Sequence, residues 1–346
     1  MTSIIQARRL RPQAQAGGMF NAGVAGRFCA GIAMVLSTAS VAQQPAAKDY
    51  PSKPIRMVVP FVPGGIDVVG HALGRKISPV IGQNMFIDNR AGAGGVIGTD
   101  IVAKAAPDGY TMLLTSSGHA SLPSVMKSLP YDPVKDFAPV TLAARSVGFV
   151  LVVHPSVPAR SVKELIALAK SQPGKLSYGS TGVGAVVHLA TEAFNTMAGT
   201  QIAHVPYKGT AGAIMDIMTG RIDMFIMVGT LAIEHIRSGK LRALGITGET
   251  RWNQLPEVPT IAEAGLKGYS YVVWYGLWFP AGTPNEYVTR MRSEVVRALD
   301  DPETKKAFAD QGFVGVGSTP QEFSKTIVDD IEFHRRLVKQ IGLAPQ

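Results

Sequence analysis

Short apolar, β-branched runs recur along this chain, each followed by a glycine-rich turn and then by residues at helical spacing. The pattern opens at residues 55–61 (IRMVVPF), turns at Pro63-Gly64-Gly65, and continues over 67–81 with Val68, Ala72, Leu73, Ile77 and Val80 sharing one face. A brief strand at 85–87, a glycine-dense stretch at 88–98 (DNRAGAGGVIG), a helix over 96–104 and a strand at 110–114 complete the unit. Strand and helix in alternation predict an α/β fold. Its sheet is expected to be mostly parallel, flanked by helices, with its loops gathered at the carboxyl edge of the strands.

The middle of the chain repeats the alternation. A strong strand at 149–153 stops at His154-Pro155, and Ser161 caps a helix through Lys170, with Glu164 placed to complete a capping box. A strand at 176–179 enters a third glycine loop, GSTGVG at 179–184, and the helix after it ends at Gly199. Strands at 204–207, 224–228 and 241–246 alternate with helices at 210–218 and 231–238. The segment 129–140 (LPYDPVKDFAPV) is proline-punctuated and reads as a connection, 271–279 (YVVWYGLWF) as an aromatic strand, and 286–339 as helical with a break at 312–320. Two α/β units joined by two chain crossings predict one domain of residues 50–147 plus 275–346 and another of 148–274. Such a chain forms a ligand cleft at the hinge.

The N-terminus resembles an export signal. Arg8, Arg9, Arg11 and Arg27 precede the apolar run 28–42, and Ser40 and Ala42 occupy the positions a signal peptidase reads. Cleavage after Ala42 leaves 304 of the 346 residues and lowers the net charge from +9 to +5, since the signal carries those four arginines and no acid. The only cysteine, Cys29, leaves with it, which removes disulfides, thiol catalysis and cysteine-held metals from consideration. The remaining positive excess is scattered and has no basic tract of the kind nucleic-acid binders carry.

Three chemistries compete for the glycine loops. Gly92, Gly94 and Gly98 fit a dinucleotide fingerprint poorly, because Asp88-Asn89-Arg90 intervenes after a very short strand and no acidic residue ends a second strand about 20 positions on. Ser180 lacks the spacing of a nucleophile elbow. His188 and Glu192 stand one helical turn apart and can form an acid–base or metal pair, or merely a packing contact; no second ligand pair accompanies them. Neither a cofactor nor a metal is expected. Anion capture remains: loops between strand and helix present backbone N–H groups and hydroxyls that hold a carboxylate without Lys or Arg. Asp67 reads as a helix cap that shapes its loop.

Several stretches resemble the solute-binding proteins of the tripartite tricarboxylate transporters, the Bug family. They include YPSKPIRMVVPFVPGG (50–65), DNRAGAGGVIGTDIVAKAAPDGYTMLL (88–114), LPYDPVKDFAPVTL (129–142) and YGSTGVGAVVHLATEAF (178–194). HVPYKGTAGAIMDIMTGRID (204–223), SGKLRALGIT (238–247), LPEVPTIAEAG (255–265) and WYGLWFPAGTP (274–284) extend the likeness over nearly the whole mature chain. The resemblance implies a two-domain periplasmic binding protein fold of type II-like form, acting as a monomer in the periplasm. It also implies delivery of a small carboxylate to the membrane components of a transporter, with no catalysis. The ligand positions it implies are Gly64, Gly65, Asp67, Gly94 and Gly95 from the first domain. From the second come Ser180, Thr181, Gly184, His188, Tyr207, Lys208 and Gly209, with Met227 added as a candidate on the cleft wall. A sensory adaptor using the same clamp, or an enzyme acting on a carboxylate, are the alternatives.

Three departures from the family pattern bear on the ligand. The first loop, Gly64-Gly65-Ile66-Asp67, is one residue shorter than the family's usual form and lacks its Thr. Met227-Val228 stands where the family often has Asp-Asn, and Leu122 where an Asn is common. Each makes the cleft more apolar, with Tyr207, Met227 and Trp274 or Trp278 as candidate lining. The expected ligand is a carboxylate with an apolar or aromatic body.

Overall fold

The computed structural model describes residues 50–345. The export-signal reading of residues 1–42 and its Cys29 therefore lie outside the described residues. No helix among the described residues is long and apolar enough to cross a membrane.

The first sheet collects β1 (Ile55–Val59), β2 (Met85–Asn89), β3 (Thr111–Ser116), β4 (Phe137–Ser146), β10 (Trp274–Pro280) and β11 (Phe313–Gly315), in the order β11-β4-β10-β3-β1-β2. The second collects β5 (Val150–Val153), β6 (Ser177–Ser180), β7 (Ala203–Pro206), β8 (Met224–Met227) and β9 (Arg242–Ile246), in the order β7-β6-β8-β5-β9. Helices α1 (Gly65–Ile81), α2 (Val96–Ala103), α3 (Gly118–Val125), α8 (Asn285–Asp300), α9 (Pro302–Asp310) and α10 (Pro320–Gln340) accompany the first. The second has α4 (Val162–Ser171), α5 (Val186–Ala198), α6 (Thr210–Met218) and α7 (Gly229–Arg237). The α/β class and the two-sheet architecture agree with the sequence.

The sheets are mixed rather than mostly parallel. β1 pairs in parallel with β2 and β3, and β6 with β7 and β8, because each of those connections runs through a helix. The strands at the two chain crossings behave otherwise: β10 lies antiparallel to β3 and β4, and β5 lies antiparallel to β8 and β9. These strands arrive from the other sheet or leave for it, so no crossover helix sets their direction.

The proline-punctuated segment at 129–140 also differs from its reading as a connection, since β4 begins at Phe137 inside it. Pro139 sits opposite Trp278, where the β4–β10 register shifts, which is how a strand accommodates a residue that cannot donate. The break at 312–320 contains the short β11, again paired with β4. At α4, Ser161 Oγ does accept the Glu164 N–H (3.2 Å), but the Glu164 carboxylate reaches the Arg160 N–H (2.6 Å) and leaves the box open.

Each sheet has its own core. Val150–Val153, Tyr178, Phe194 and Met224–Met227 anchor the second, and Ile55, Leu73, Leu114, Leu277 and Phe279 one face of the first. Along β10 the two-residue period sends Trp274 and Trp278 to the opposite face, against Phe323 of α10. Helix α10 joins the cores: Phe323, Ile327 and Ile331 pack with the first sheet, whereas Leu337 and Val338 pack with the second.

Candidate functional site

A cleft of about 530 Å³ opens between the two sheets. Its walls come from the loops after β1, β3, β6 and β8, from the connectors at 146–150 and Val273, and from the turn at Gln311–Phe313. Among the described residues, no Lys, Arg, His, Asp or Glu lines it. Phe61, Val62, Ile66, Phe149, Val186, Val187, Phe225, Met227 and Leu231 make most of the wall apolar.

Helix starts supply the polarity. Gly65 and Ile66 open α1, Thr210 opens α6, and Gly229 and Thr230 open α7; all of them line the cleft. The first amides of a helix have no partner within it, and the aligned peptide dipoles put partial positive charge at that end. The side-chain hydroxyls of Thr181, Thr210 and Thr230 add donors that make no hydrogen bond to another described residue. The arrangement suits an anionic oxygen attached to an apolar body. Beside the cleft lies a second compartment of about 400 Å³, which shares Phe61, Ser116 and Val186 and is closed by Gly94, Leu122, Val125, Gly184 and Leu343.

The residues picked from sequence divide between lining and bracing. Gly64, Gly65, Thr181 and Met227 line the main cleft, and Gly94 and Gly184 the adjoining compartment. The Gly64 amide is already committed, donating to the Asp67 carboxylate (2.7 Å), whose other oxygen takes an N–H of Asn89 (2.8 Å). Asp67 is buried and holds the loop shut from behind. Gly95 lies under the Phe61 ring, and Gly98 seats α2 against the β1 loop, where a Cβ would stand 2.6 Å from the Arg90 carbonyl oxygen.

The second-sheet loop is braced by a histidine pair. Ser180 is fully buried; its Oγ takes the Gly182 N–H (3.1 Å) and bonds to His204 Nε2 (2.6 Å). His188 Nδ1 accepts the Gly184 N–H (3.0 Å), so this ring carries no proton on that nitrogen. The two imidazoles stack with centroids 4.1 Å apart. Burial, and then the neighbouring His204, bring His188 down to about 4, and burial lowers His204 as well. Glu192 does not meet His188: its carboxylate accepts the Tyr178 hydroxyl (2.5 Å).

Three more residues sit away from the cleft wall. Tyr207 turns toward its own lobe, its hydroxyl donating to Asp216 (2.8 Å). Lys208 is exposed, and Gly209 precedes α6 with φ 124°. Trp274 and Trp278 are buried in the core under β10, while Tyr275 between them lines the cleft. Ser116, Thr210, Gly229, Thr230, Tyr275 and Gln311 are among the lining residues that sequence reasoning missed. A signal did exist for Thr210, a hydroxyl at the first position of a helix whose bounds were legible.

The fold agrees with what other chains show. The model of the tripartite tricarboxylate transporter family receptor matches residues 70–343. The chain belongs to that family. This receptor family is one of solute-binding proteins rather than enzymes. Among solved receptors, an R. palustris protein with adipate is 35% identical, with a TM-score of 0.75 over 86% of this chain and 100% of its own. The periplasmic binding protein BugD is 32% identical, with a TM-score of 0.72 over 86% and 100%. MatC from Rhodopseudomonas palustris with bound malate is 29% identical, with a TM-score of 0.70 over 84% and 100%. Two receptors of this shape thus hold small carboxylates.

Proposed function

We propose that this chain is an extracytoplasmic receptor that captures a small carboxylate with an apolar or aromatic body and delivers it to the membrane components of a tripartite tricarboxylate transporter. In this reading it reaches the periplasm by cleavage of a signal at residues 1–42 and works as a monomer. One observation carries the proposal: the cleft combines unpaired helix-start amides with an apolar wall that, among the described residues, no charged side chain interrupts. The carboxylate seats against the amides of Gly65, Ile66, Thr210, Gly229 and Thr230, with Thr181 as a hydroxyl donor. Asp67, Gly64, Ser180, Gly184 and His188 hold the loops in place. Relatives that bind adipate and malate support the carboxylate class. Met227 and Ile66 on the wall support the apolar body.

The same reading divides the chain into a lobe of residues 50–147 plus 275–346 and a lobe of 148–274, hinged at the connectors beside Val147 and Val273. Ligand contacts to both lobes favour closure. The test is mass spectrometry of the solute released from natively purified protein, together with a thermal-shift panel of mono- and dicarboxylates. An intact apolar carboxylate is the expected cargo. Strong stabilisation by citrate or glutamate, with none from aliphatic or aromatic acids, refutes the proposed ligand class.

A further inference from the structure

Besides the buried, unpartnered indole N–H of Trp252, the cleft wall carries two half-buried side chains whose polar groups carboxylate capture leaves idle. Tyr275, on β10, and Gln311, which follows α9, both line the cavity alongside Val147, Gly148 and Val273. Both are half-buried, and neither side chain makes a hydrogen bond to another described residue. The serines near them are occupied: Ser146 Oγ accepts the Val273 N–H (3.0 Å) and Ser116 Oγ accepts the Gly118 N–H (3.3 Å). The rings of Phe149, Phe225, Phe313 and Trp252 wall the same region. Two polar groups without a protein partner, set beside aromatic rings in a cleft, are free to fix the orientation of a ligand.

The helix end beside Gln311 has the opposite polarity to the helix starts. Gln311 is the C-cap of α9, so the negative end of that helix's dipole lies here. No cation lines the cleft to offset it among the described residues. Burial pushes the Tyr275 phenol up to about 12, so it remains protonated and able to donate. A second carboxylate at this end meets a helix C-terminus and no positive charge. A hydroxyl instead accepts from the Tyr275 phenol and donates to the Gln311 carboxamide oxygen, satisfying all three groups.

We propose that Tyr275 and Gln311 form a second subsite for an uncharged hydroxyl at the far end of the solute. The solute class is then a monocarboxylate with a hydroxylated apolar or aromatic body, rather than a dicarboxylate. This deepens the receptor reading and rests on it.

Calorimetric titration of the mature protein tests the subsite with two matched series. One is 4-hydroxyphenylacetate, phenylacetate and 1,4-phenylenediacetate; the other is 6-hydroxyhexanoate, hexanoate and adipate. In at least one series the hydroxy acid is expected to bind about tenfold or more tighter than its unsubstituted partner and tighter than the diacid. Tyr275→Phe and Gln311→Leu, which keep the local volume, should each shrink the ratio of hydroxy acid to unsubstituted acid toward one. A purely structural role for either residue weakens all ligands equally and leaves that ratio unmoved, which overturns the proposal. Tighter binding of the diacid than of the hydroxy acid in both series overturns it as well, while leaving carboxylate capture intact. Binding of the unsubstituted acids without discrimination has the same meaning. Failure of every acid in both series to bind overturns the subsite and the apolar-carboxylate reading together.

Discussion

Asp67 shows how one buried carboxylate can shape a binding loop without touching the ligand. It ties the Gly64 N–H and the Asn89 side chain together, and so fixes the turn that presents the Gly65 and Ile66 amides. Asp67→Ala removes two part-buried hydrogen bonds, from the Gly64 N–H and the Asn89 amide, for an expected loss of about 2 kcal/mol of stability. Urea denaturation should show that loss, and calorimetry with the recovered solute should show weaker binding. An unchanged affinity would mean that the α1 start takes no part in capture. The residue's role was readable from its spacing behind Gly64. That Gly64 spends its own amide on Asp67 was not, because a single sequence does not say which way an N–H points.

At the scale of elements, α10 carries the consequence that sequence periodicity concealed. Its 21 residues read as one amphipathic helix, yet the first turns bury Phe323, Ile327 and Ile331 in one core and the last bury Leu337 and Val338 in the other. The helix therefore ties the two cores together, and in the proposed two-lobe reading any motion of one lobe against the other acts through it. Leu337→Ala is expected to cost about 3 kcal/mol, in the range for a large core side chain cut back to alanine. Denaturation followed by far-UV circular dichroism measures it; a loss below about 1 kcal/mol would show that the contact is dispensable. A hydrophobic stripe tells which side of a helix is buried but not against what, so this bridging was invisible before the fold.

The whole molecule should respond to pH through its buried histidines. His119, enclosed by Tyr131, Phe137 and Trp278, is brought down to about 4 by burial, like His188; His204 and His334 are lowered as well. A group whose folded pKa lies below its unfolded value takes up protons preferentially in the unfolded chain as the medium acidifies. Stability is then full above about pH 6.5, the ordinary histidine value, and falls as pH drops toward 4. Urea midpoints measured between pH 7.5 and 4 should decline across that window, and a flat profile would contradict it. The second whole-molecule expectation is closure: small-angle scattering should show a smaller radius of gyration at ligand saturation. Identical curves with and without ligand would argue for a rigid cleft.

Periodicity and turn residues by themselves determined the α/β class, the helix bounds at 210–218 and the strand-to-helix position of each glycine loop, because those depend on neighbours a few residues apart. The direction of β5 and β10 depended on which sheet the chain entered, so only the tertiary structure made the sheets mixed. It also decided which loop residues face the cleft. His188 and Ser180 looked like ligand contacts but brace their loops, as Asp67 does, while Thr210, Thr230, Tyr275 and Gln311 stand on the wall. Facing is set by how the two sheet cores are tied together, and in this chain the connectors beside Val147 and Val273 and helix α10 contribute to that tying.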